Sequence, residues 1–159
     1  MNKKQELLQN IEIIKNEHIR WATYAEAKFN GLEVDEELTP VKHTDCACGK
    51  MIAENGQIMY HLKSANRLAK DHEEFHKLGE KLYDFMNNKK EGNFLTKHFI
   101  DKKNNELMSK YASTLKKLSE NILNSFNNIK NEITNIPDKT INSSFRDLRE
   151  KQQIKKICS

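Results

Sequence analysis

A chain of 159 residues, 36% hydrophobic and 31% charged, has apolar material for one core and none for a membrane span, which needs roughly 20 consecutive apolar residues. Its opening residues carry no apolar leader, so a cytoplasmic location is expected, where three cysteines serve as thiols or metal ligands rather than as a disulfide framework. Five glycines and two prolines are too few for the turns of a sandwich, barrel or doubly wound sheet, and a net charge of +4 with both signs interspersed argues against a nucleic-acid partner.

The first predicted helix runs from about Lys3 to Asn30. Leu7, Ile11, Ile14, His18, Trp21 and Ala25 recur four, three, four, three and four residues apart, a one-sided helical stripe that Gly31 would stop. His18 sits in this apolar seam. Residues 31–45, with Gly31, Pro40 and a string of acids, form a loop. Thr44 or Asp45 is then placed to cap a short helix bearing Cys46-Ala47-Cys48-Gly49-Lys50-Met51-Ile52, and Asn55-Gly56 signals a turn.

A second long helix is predicted from about Ile58 to Asn88, with Ile58, Leu62, Ala65, Leu68/Ala69, His72, Phe75/His76, Leu82 and Phe85/Met86 on one face and Gly79 tolerated inside it. A last long helix begins between Phe94 and Lys103 and carries Tyr111, Leu115, Leu118, Ile122, Phe126, Ile129, Ile133 and Ile136 up to Pro137. Residues 137–159 form a basic tail or a short extra helix beyond a helical domain of residues 1–136. Three long helices and one short cysteine-bearing helix fold most simply as an all-α, antiparallel, up-and-down four-helix bundle, long enough to bury a further stripe against a twin.

Chemistry concentrates in Asp71-His72-Glu73-Glu74-Phe75-His76. Imidazoles four residues apart on a helix share a face and can reach one ion. Histidines at this spacing are often merely solvated, but these two lie on or beside an apolar stripe, where an unpaired imidazole is costly. His18 brings a third from another helix, and the short helix between them brings a cysteine. Three imidazoles and one thiolate form a closed tetrahedral set whose natural occupant is zinc, with no open position for a catalytic water and no catalytic residue. His61 is 11 residues from His72, about 16 Å along the helix, too far to share an ion. His98 has no ligand-spaced partner. His43, three residues before Cys46, is metal-compatible and ranks below His18 because it lies in a polar loop. Asp45 or Asp71 is available to accept an imidazole N–H, or to serve as a helix cap.

These residues resemble the chemoreceptor zinc-binding (CZB) domains. In that family a first-helix histidine is followed three residues on by tryptophan, as in His18-Ile19-Arg20-Trp21, with a closing glycine like Gly31. A short helix with Cys-x-Leu/Phe-Gly-x-Trp is matched by Cys46-Ala47-Cys48-Gly49-Lys50-Met51, and a later His-x3-His by His72 and His76. The similarity covers roughly residues 10 to 120. It implies His18, Cys46, His72 and His76 as zinc ligands in a homodimeric four-helix bundle, and a regulatory module responding to zinc, or to oxidants at the zinc-bound cysteine. The implied output is a chemoreceptor or a cyclic-di-GMP enzyme. Cys48 and Met51 depart from the family pattern; Cys48 reads first as a small buried residue and otherwise as a second redox thiol. Cys158 reads as an exposed bystander. With no methyl-accepting or cyclase pattern beside the motifs, the signal would pass to a separate partner, or the chain would stand alone.

Two other functions fit the same residues. A metal-dependent hydrolase or thiol transferase of the DinB-like type would need Cys46 uncoordinated and an open position on the ion. A structural interaction protein would use zinc only to staple its bundle. A di-iron bundle of the hemerythrin type needs more ligands than the last helix offers.

Overall fold

The computed structural model describes residues 2–30, 32–33, 42–54, 59, 62–88 and 94–144, excepting the side chains of Phe29, 85–88 and 94–105. Among these residues the protein is all-α. Helix α1 spans Lys3–Phe29, α2 Ala47–Glu54, α3 Lys63–Asn88 and α4 Phe94–Asn135. The predicted turn at Asn55-Gly56, Ile58, His61, Pro40, Gly31, the side chains of Phe85, Met86 and His98, and Cys158 lie outside the described residues.

Each helix begins and ends for a local reason. Asn2 caps α1 with its side chain on Gln5 N–H at 2.9 Å, and Gln5 returns the bond to Asn2 N–H at 3.1 Å, a capping box. At the far end Leu32 N–H reaches back to the Ala27 carbonyl at 3.1 Å, the six-to-one bond of a Schellman closure. Helix α3 starts five residues later than the apolar pattern predicts, because its first turn is capped from outside. Glu132 of α4 accepts from Ser64 N–H at 3.2 Å and from the Ser64 hydroxyl at 2.5 Å, placing a carboxylate at a helix N-terminus. Lys4 of α1 in turn donates to the Thr134 and Ile136 carbonyls at the end of α4, at 2.7 and 2.8 Å. Pro137 ends α4 as expected, and its carbonyl accepts from Thr140 and Ile141, opening a further helical stretch over 138–144 whose Ile141 is 2% exposed.

Side-chain contacts set the helix directions. Glu12 pairs with Lys130 at 2.7 Å and Lys15 with Asn127 at 2.9 Å, so α1 and α4 run antiparallel. His18 meets His72, Trp21 meets His76 and Lys28 lies over Tyr83, so α1 and α3 run the same way. Helix α4 packs along both, and α2 leans on α1 and α3. The apolar stripes converge on one core that includes Ile11, Leu68, Phe75, Leu82, Ile122, Phe126, Ile129 and Ile133, all fully buried. Burial of such side chains contributes about 1.5–3 kcal/mol each, and this stripe is what fixes the seam histidines in place.

Candidate metal centre

The Cys46 cluster is assembled by α2 and α3. Cys46 is the N-cap of α2: its carbonyl accepts the first helical bond, from Lys50 N–H at 3.1 Å, and its sulfur accepts from Gly49 N–H at 3.4 Å. The thiol thus takes the capping place that Thr44 or Asp45 was expected to hold; Thr44 instead donates its hydroxyl to Asp45 at 3.2 Å. Gly49 is required here by close approach. A Cβ on it would collide with the His43 carbonyl and lie 3.1 Å from Thr44 Cα, so only glycine lets the preceding turn close over the start of α2. Cys48 and Met51, on the inner face of α2, are 2% and 4% exposed and anchor it in the core.

On α3, one helical turn separates His72 from His76, and their ring centres stand 4.6 Å apart. Both are buried. The Cys46 sulfur is 3.0 Å from His72 Nε2, and one ligand atom from each of Cys46, His72 and His76 lies within 4.8 Å of the others. His18 is buried beside them at 5% exposure. Its ring centre is 6.3 Å from that of His72 and 5.0 Å from that of Phe75, and its Nε2 faces the Ser119 hydroxyl of α4 at 3.5 Å. His43 stands at 6.4 Å from the His72 ring. Asp71 pairs with Arg67 at 3.4 Å, so its carboxylate holds a neighbouring turn of α3.

Trp21 closes the site from α1. Its ring stacks obliquely on His76 at 4.6 Å and meets Phe75 edge-on at 4.8 Å, and its far edge approaches Gly79, where a Cβ would sit 3.3 Å away. The indole Nε1 is buried with no hydrogen-bond partner among the described residues. The spacing motifs did not reveal Gly79 as a seat for Trp21, nor Ser119 as a neighbour of His18. A serine within an apolar stripe, 101 residues away, carries no local signal.

Electrostatics favour neutral donors. Burial, reinforced by the nearby His76, lowers the pKa of His18 to about 4; burial and the surrounding His76, His18 and His43 lower that of His72 to about 3. Burial raises the Cys46 thiol, against the pull of the Gly49 and Cys48 amides and Lys50. Burial also raises Cys48, further than Cys46, with the neighbouring Cys46 adding to it. At neutral pH His18 and His72 are therefore free bases, and the Cys46 thiol is protonated. That donor set, buried nitrogen with one sulfur, fits a borderline-soft divalent ion. No family model, curated protein or solved structure matches the chain.

Proposed function

We propose that this protein is a zinc-binding regulatory module of the chemoreceptor zinc-binding type, with Cys46, His72 and His76 as ligands and His18 completing a tetrahedral site. The observation that carries the reading is the convergence of three donor atoms within 4.8 Å, two of them on buried imidazoles. Zinc, when bound, supplies a cross-link between α2 and α3 and, through His18, α1. The protein's residues do the rest. The Gly49 and Cys48 amides at the start of α2 offset part of the burial that disfavours the Cys46 thiolate, Phe75 and Trp21 exclude water, and Ser119 orients His18. Oxidation of the ligand sulfur would release α2, a two-state element suited to signalling. In this reading the arrangement is a four-helix bundle that dimerises in the cytoplasm, covering exposed apolar residues such as Ile13 and Ile19 on α1. It reports to a chemotaxis or cyclic-di-GMP partner.

One observation favours a second reading. His18 faces Ser119 and lies outside the three-donor cluster, which leaves room for the open coordination position a DinB-like enzyme needs. Against it, Cys46 is inside the cluster. The 510 Å³ cleft between α1 and α4 is also lined by residues such as Ile19, Thr23, Lys116 and Ser119 and by none of the three donors. Titration of zinc into metal-free protein against a chromophoric chelator should give one tight equivalent, lost in His72→Ala/His76→Ala; a double variant that keeps it overturns the site. X-ray absorption at the zinc edge should show one sulfur and three nitrogens, whereas an oxygen in place of sulfur supports the enzyme.

A further inference from the structure

His72 has an imidazole neighbour on each of two other elements, at nearly the same distance: His18 on α1 at 6.3 Å between ring centres, and His43 in the turn before α2 at 6.4 Å. Two imidazoles bound to one tetrahedral ion, each nitrogen about 2 Å from it, have ring centres about 5 Å apart. The His72–His76 pair already meets this at 4.6 Å. His18 and His43 are each within about 1 Å of ring movement of that spacing.

The two are not equivalent in their surroundings. His18 is buried against Phe75 and held toward Ser119. His43 is half-buried, in a turn closed by Asp45 N–H on the Lys42 carbonyl at 3.1 Å. Its own carbonyl accepts from the Cys46 thiol at 3.4 Å and rests where a side chain on Gly49 would collide. The backbone around His43 is therefore locked onto the helix that bears the sulfur ligand, and His43, half-buried beside the cluster, is more open to solvent than the buried His18.

We propose that His43 is an outer donor of the metal centre: it holds the fourth position during uptake and release, and His18 takes that position in the closed site. This rests on the metal-centre reading above. A buried four-donor site can exchange its ion only by giving up a ligand, and a donor on the solvent side lowers that barrier equally in both directions. Rates change; equilibrium does not.

Stopped-flow transfer of zinc to and from a chelator, with the full chain, tests this. His43→Ala and His43→Gln, the second preserving size, should slow uptake and release together by about tenfold, an equal rise of about 1.4 kcal/mol in both barriers, with the dissociation constant unchanged. Cobalt in His18→Ala should keep a four-coordinate absorption spectrum, and the spectrum should change in His18→Ala/His43→Ala. Unaltered rates in both His43 variants, weaker binding without slower release, or identical cobalt spectra for the single and double variants would each overturn the proposal. Failure of the wild type to bind any tight zinc would instead remove the metal centre itself.

Discussion

Cys46 brings together two duties that are separate in most proteins, starting a helix and facing an imidazole. Because burial raises its pKa, the thiol is protonated at neutral pH, whereas His18 and His72, with pKa values near 4 and 3, have already lost their protons. Loading zinc at pH 7 should therefore expel about one proton, from Cys46. Calorimetry in two buffers of different ionisation enthalpy measures that number, and Cys46→Ser should abolish it. The same histidines act on folding with a definite sign. Unfolded, each takes up a proton near pH 6.5; folded, neither does until far lower. Metal-free protein should thus hold its full stability above about pH 6.5 and lose it as the pH falls toward 4, by up to about 1.4 kcal/mol per pH unit for each histidine. Urea unfolding at pH 7.5 and 5.5 reads the loss, and His18→Asn/His72→Asn should flatten it.

At the scale of the element, the caps decide what was legible. The stripe of α1 and its Asn2–Gln5 box are local, so its start and end follow from residues a few positions apart. The start of α3 does not. Leu62 supplies no capping side chain, and the group that stands in, Glu132, is 68 residues away on α4. The apolar periodicity continued upstream without marking the boundary. Glu132→Ala should cost about 1–2 kcal/mol, with faster hydrogen exchange at the first-turn amides of α3 and little change in α1. The cap of α2 is hidden for a different reason: serine-like capping by a cysteine sulfur is weak as a sequence signal, and the hydroxyl and carboxylate just before it look better suited. Only the clash that a Gly49 side chain would make with the His43 carbonyl identifies where the turn closes.

For the molecule as a whole, the seam positions could be read from spacing alone, because an apolar stripe at three- and four-residue intervals has only one face to bury. His18, His72 and His76 were placed in the interior on that ground, and they are there. Which residues of α1 and α3 meet is not derivable from either stripe; it depends on Trp21 finding the gap at Gly79. An ion spanning residues 46 to 76 would bind the folded chain and not the unfolded one. At a free zinc concentration 100 times the dissociation constant, stability should rise by about 2.7 kcal/mol, or about 5–10 °C in Tm, and a chelator should reverse it.

The sulfur that begins the short helix has a kinetic consequence. The half-buried Cys46 and the sealed Cys48 differ in access: a small alkylating reagent can take Cys48 only when residues 47–54 lift away from their supports. The pace of labelling is a clock for that opening. Cys46, two residues before Cys48 and half-buried, reacts ahead of that opening, so one chain carries two hands on one dial.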